Sequence, residues 1–126
     1  MLDYTITRTD NPTSAEELRE ILANPGFGKH FTDHMVTIDW TEEKGWHDAQ
    51  VRPYGPMTME PASNVFHYGQ AIFEGIKAYR QPDGSIATFR PDHNAQRFIN
   101  SAERLAMPEL PQEDFIESLR QLVEVD

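Results

Sequence analysis

The chain contains no cysteine, so disulfides, thiolate catalysis and thiolate metal sites are excluded. It is poor in positive charge: 11 basic residues face 21 acidic ones, a formal net charge of −10. Such a surface repels phosphate backbones and anionic membranes, which argues against a nucleic-acid or membrane partner. No apolar run approaches the ~18 residues that span a bilayer. Met1 to Asp10 lack the basic head and apolar stretch of a secretory signal, so none is expected. A complete phosphate-binding glycine loop is missing as well. Gly26 and Gly28 bracket Phe27, but the third glycine and the preceding strand are not there. None of the serines sits in a nucleophile-elbow pattern. His30 and His34 share i, i+4 spacing at a loop-to-strand junction, which is poor ground for a zinc pair, and no metal site is expected.

What is present suits one globular domain across residues 1–126, at home in the cytoplasm. At this length a real core can be buried without staples. Thr5 to Arg8 reads as an edge strand. Thr13 and Ser14, ahead of Glu16 and Glu17 at capping-box spacing, open a helix carrying Leu18, Ile21 and Leu22, and Asn24-Pro25-Gly26 stops it. His34 to Trp40 alternates as a half-buried strand, Glu43-Lys44-Gly45 turns, and Trp46 to Arg52 returns. A short helical or turn-rich stretch follows from Pro61 to Phe73. Gly75–Arg80 and Ser85–Phe89 form a hairpin about Pro82-Asp83-Gly84. Pro91 starts a helix with Ala95, Phe98, Ile99, Ala102 and Leu105 on one stripe. A last helix carries Phe115, Ile116, Leu119, Leu122 and Val123. It runs out at Asp126 without a stop signal, as expected of a truncated chain. The class is α+β, a mainly antiparallel sheet with helices packed on it.

Two features could carry chemistry. Val65 to Arg80 gathers ring residues around a Gly-flanked bend, where an apolar wall could meet a ligand. Core packing would explain the same rings. Arg97 stands beside the apolar stripe of its helix, near the helix start, which suits a phosphate or carboxylate. A salt bridge to one of the many acids would explain it equally.

The stretch Phe66–Arg80, FHYGQAIFEGIKAYR, closely resembles a motif of the branched-chain amino-acid aminotransferases, pyridoxal-phosphate enzymes of the D-amino-acid-transaminase-like fold. FGKHFTDHM at Phe27–Met35 and the strand Val36–Trp40 continue the likeness. So do Phe89-Arg90-Pro91 with Asn94, Arg97, Ser101-Ala102 and Arg104-Leu105, and SLRQLVEVD at Ser118–Asp126. The resemblance implies the small N-terminal domain of such an enzyme, with pyridoxal 5′-phosphate held between two domains of a homodimer's subunit. It implies that Arg97 binds the cofactor phosphate, and that Phe27, Tyr68 and Phe73 line the pocket for a branched aliphatic side chain. The four side chains are then expected to converge on one hollow. The larger domain, with the lysine that binds the cofactor covalently, would lie beyond residue 126. Of the lysines here, Lys29, Lys44 and Lys77, none is assigned that role, and no catalytic residue is expected in the chain. The full protein would move an amino group between Leu, Ile or Val and 2-oxoglutarate; the chain alone would be inactive. A D-amino-acid transaminase or aminodeoxychorismate lyase of the same fold, and a non-catalytic binding or regulatory domain, are the alternatives. Either sister enzyme should match FEG but not FTDHM.

Overall fold

A computed structural model describes every residue from Met1 to Asp126. The elements are β1 (Thr5–Ile6), α1 (Ala15–Ala23), β2 (His34–Thr41), β3 (Gly45–Pro53), α2 (Asn64–Tyr68), β4 (Ala78–Arg80), β5 (Ile86–Thr88), α3 (Pro91–Arg104) and α4 (Gln112–Val125). The class is α+β, as the alternation and periodicity of the sequence require.

The sheet is in two pieces. β2 and β3 form an antiparallel hairpin, and β1 joins β3 in parallel, giving the order β1-β3-β2. A register shift between Thr37 and Asp39 bulges β2. β4 and β5 make a separate two-stranded hairpin. This hairpin is shorter than the sequence suggests: Gly75 to Lys77 and Phe89 stay outside the ladder. Gln81 to Gly84 turns it, with Gly84 at φ 88°, a left-handed value that favours glycine.

Local chemistry sets the helix starts. The Ser14 hydroxyl accepts from the Glu17 backbone N–H at 3.2 Å, an N-cap that satisfies one orphan donor of α1. Pro91 is the first residue of α3, where its missing N–H costs nothing. Residue Arg90 before it is left-handed, at φ 49° and ψ 55°.

The core lies where α3 and α4 pack on β2 and β3. Ala95, Leu110 and Phe115 are buried there, against Ile38, Trp46, Phe98, Ile116 and Leu119. Phe98 and Phe115 meet with ring centroids 5.3 Å apart at 47°, an edge-tilted pair. The Trp46 indole N–H donates to the Glu109 carbonyl at 2.9 Å, tying β3 to the loop before α4. His34, only 4% exposed, ties three segments together. Its Nε2 accepts from the Thr9 backbone N–H at 2.9 Å, so Nδ1 carries the proton and donates to Asp126 Oδ1 at 2.5 Å.

This core is small. Nine of the 126 residues are buried, and the accessible surface is 9733 Å². A compact monomer of 14.5 kDa is expected to show about 6,900 Å². The excess is apolar in large part: Leu22, Phe27, Phe31, Phe66, Tyr68, Phe73 and Phe89 are each at least 60% exposed.

Candidate functional site

Arg97 sits in the second turn of α3, and its guanidinium is gripped by Glu74. Nε donates to Oε1 at 3.1 Å and a terminal nitrogen donates to Oε2 at 2.7 Å, a two-pronged pair. The carboxylate is the fixed partner. The Glu74 side chain is 12% exposed and the Arg97 side chain 58%. Asn94, itself 7% exposed, donates one amide N–H to Glu74 Oε2 at 2.8 Å and one to the Gly75 carbonyl at 3.1 Å. The Arg97 hydrogen bonds hold the Glu74 carboxyl below the usual carboxylate range, outweighing its partial burial, with Asn94 adding to the effect. Glu74 in turn raises Arg97's hold on its proton. Two of the five guanidinium donors are spent on Glu74, so three N–H groups remain for a ligand.

Arg97 is shared by three shallow hollows. One, of about 620 Å³, is lined by Gly75, Ile76, Lys77, Tyr79, Phe89, Arg90, His93, Asn94 and Arg97. A second, of about 470 Å³, is lined by Phe73 and Glu74 with Ala71, Ile72, Asn100, Ser101, Arg104 and Leu105. A third, of about 390 Å³, lies among Asp92, His93, Gln96 and Gln112. The segment between α2 and β4 is held against α3 by Gln70, whose amide donates to the Leu105 carbonyl at 2.8 Å and accepts from Asn64 at 2.8 Å.

The structure brings Phe73 and Arg97 to one hollow, and leaves Phe27 and Tyr68 off the three hollows that Arg97 lines. Within this chain alone the four side chains do not share one hollow. Phe27, Tyr68 and Phe73 are 99%, 82% and 88% exposed, so no second wall of this chain closes over them. Core packing, the ordinary explanation of these rings, fails for the same reason. Phe27 stands between Gly26 and Gly28, both left-handed, and Tyr68 ends α2 just before left-handed Gly69. The ordinary explanation of Arg97, a salt bridge, holds, and its partner is Glu74.

Glu74 and Asn94 escaped the sequence reading as site residues. A signal existed for Asn94, which stands three residues before Arg97 and so on the same face of α3. His30 and His34 do not form a metal pair, because both ring nitrogens of His34 are already engaged by Thr9 and Asp126.

No protein-family model matches the chain. Individual curated proteins do. The chain is 60% identical over 125 residues to a branched-chain-amino-acid aminotransferase of Mycolicibacterium smegmatis, a match covering 99% of this chain and 34% of that protein. It is 61% identical over 116 residues to a probable branched-chain-amino-acid aminotransferase of Streptomyces coelicolor, covering 92% and 32%. It is 52% identical over 101 residues to branched-chain-amino-acid transaminase 1 of Bacillus subtilis, covering 80% and 28%. The chain spans about a third of the length of these relatives. Over nearly its whole length the chain is thus similar to about one third of the length of the Mycolicibacterium smegmatis and Streptomyces coelicolor proteins.

Proposed function

We propose that this chain is the small N-terminal domain of a branched-chain amino-acid aminotransferase that uses pyridoxal 5′-phosphate. In that enzyme the amino group passes between Leu, Ile or Val and 2-oxoglutarate. The observation that carries the reading is Arg97: a guanidinium braced from behind by a nearly buried carboxylate, with three N–H groups left over. That donor set fits a phosphate dianion, which takes parallel N–H bonds from a planar fork. Bound pyridoxal phosphate supplies an electron sink for the substrate's α-carbon.

The residues of this chain bind and shape. Arg97 holds the phosphate and so fixes where the cofactor ring lies. Phe73 stands beside Arg97 on the neighbouring hollow and offers an apolar wall to the substrate side chain. Phe27 and Tyr68 complete that wall once a larger domain covers them. Each methylene removed from water against these rings favours binding by about 0.8 kcal/mol, which selects aliphatic over polar side chains. The covalent lysine and the partner of the pyridine nitrogen come from the larger domain, and two such subunits form a dimer acting in the cytoplasm. Lys77 is exposed and outside the β4 ladder.

The test is a chimera. This chain replaces the matching third of the Mycolicibacterium smegmatis relative, and glutamate formation from leucine and 2-oxoglutarate is measured. Activity is expected in the chimera and none in the chain alone; a soluble, cofactor-loaded chimera that forms no glutamate refutes the proposal. The chain alone should show no visible absorption band from lysine-bound cofactor. A band that disappears in Lys77→Ala would refute the reading of Lys77.

A further inference from the structure

The hollow of about 620 Å³ beside the start of α3 concentrates positive charge on an acidic chain. Lys77, Arg90 and Arg97 line it, three of only 11 basic residues, with His93 among them. No aspartate or glutamate is among its nine lining residues. The rings of Tyr79 and Phe89 flank the cations. With 21 acids in the sequence, a random surface hollow would collect carboxylates.

Arg90 is placed with care. Its backbone is left-handed, a conformation that costs a non-glycine residue free energy, and it occupies the N-cap of α3 without making a side-chain cap. A terminal guanidinium nitrogen lies against Nε2 of His93, one turn further along the helix, so the imidazole holds the guanidinium in place. The Asp92 carboxylate lies 3.6 Å from that same His93 nitrogen and outside the hollow. Glu74 neutralises part of Arg97 from behind. Arg90 and Lys77 keep no such carboxylate partner. Like charges that line one hollow repel each other, and an anion between them relieves that repulsion.

We infer that this hollow binds an anion of phosphate or phosphate-ester chemistry, with Arg90 as a second guanidinium beside Arg97 and His93 as the residue that positions Arg90. The inference builds on the role proposed for Arg97 and adds a ligand residue to it. Two guanidiniums that line one hollow can share one phosphate, each giving a charge-assisted pair of N–H bonds.

Inorganic phosphate is titrated into the full chain at low ionic strength, by calorimetry, for the unsubstituted chain, Arg90→Gln, Arg90→Lys, Arg97→Gln and Arg19→Gln. Arg19 is an exposed residue of α1 and controls for loss of one charge. Saturable binding is expected, weakened about tenfold by Arg90→Gln and by Arg97→Gln, and by less than about twofold by Arg19→Gln. Arg90→Lys should fall between, because it keeps charge and loses the fork. It also separates loss of a ligand from loss of fold. His93→Ala should weaken binding by a smaller factor and release the terminal guanidinium hydrogens of Arg90 to fast solvent exchange in a nitrogen-15 spectrum. Arg90→Gln matching the Arg19→Gln control overturns the inference. If Arg97→Gln still weakens binding in that case, the proposed role of Arg97 stands alone; if neither does, both fall. Absence of saturable binding to the unsubstituted chain also overturns the inference. A parallel titration with pyridoxine 5′-phosphate, which lacks the reactive aldehyde, identifies the source of the phosphate. Tighter binding than inorganic phosphate, lost in the same variants, assigns the hollow to a cofactor phosphate, and equal binding assigns it to free phosphate.

Discussion

Glu74→Gln removes one charge from the best-defined pair in the molecule and keeps its shape. The carboxylate accepts two bonds from Arg97 and one from Asn94. Glutamine can accept on one atom only, and its amide faces donors from both neighbours. Asn94 keeps its bond to the Gly75 carbonyl, so the loss is confined to Arg97 and one amide. Arg97 is more than half exposed, so solvent screens the pair, and we expect a fall in Tm of about 2–5 °C rather than the larger loss of a sealed pair. The cost must also depend on pH. The Glu74 carboxyl is lowered in the folded chain, so its stabilisation is fully present above the ordinary glutamate range. It is lost as the pH falls through that range and past the lowered folded value. The Tm difference between Glu74→Gln and the unsubstituted chain should therefore be constant near neutrality and shrink on acidification, since a protonated Glu74 resembles glutamine. Differential scanning fluorimetry from pH 7 to pH 3 reads both effects. A Gln variant as stable as the parent at pH 7, or a deficit unchanged at pH 3, refutes the reasoning.

Three further outcomes are expected. Phe115→Ala should cost about 3–5 kcal/mol and abolish cooperative melting, whereas Phe73→Ala should leave Tm within about 1 °C, because one ring is 8% exposed and the other 88%. Tyr4→Phe should leave Tm unchanged or higher, since the Tyr4 hydroxyl is buried without a partner. Burial, helped by the charges of Asp114 and Glu117, pushes that hydroxyl up to about 12, so the parent should lose stability above pH 10 and the Phe variant should not lose that increment. The Glu117 side-chain carboxyl, hydrogen-bonded by Arg120 and then Gln121, should titrate at about 2 in a carbon-13 NMR experiment. Arg120→Gln should return it toward the ordinary range.

The parts of the fold that could be read from the sequence are those in which cause and effect lie close along the chain. The Ser14 cap acts three residues away, Pro91 acts on its own φ, and the β2–β3 turn is closed by Gly45 at φ 67°. Parallel pairing of Thr5–Ile6 with Gln50–Val51 was hidden because no local pattern names a partner 45 positions away. The hairpin of β4 and β5 came out short because Gly75 to Lys77 alternate like a strand but find no partner strand opposite them. Arg97 was visible from its place beside the apolar stripe, yet Glu74, 23 residues earlier, became its partner only through the fold. The place of the rings was hidden for a different reason. Aromatic density predicts that water will be excluded, but not which surface excludes it, and here Phe27, Tyr68 and Phe73 remain wet.

The large wet surface has a thermodynamic consequence. An excess of about 2,800 Å² over a compact monomer is on the scale of obligate interfaces. A separate partner that covers Phe27, Phe66, Tyr68, Phe73 and Phe89 and binds only the folded chain would add to its stability by mass action. The melting temperature would then rise with the concentration of that partner, and a value measured in dilution would be the floor of a curve rather than a constant.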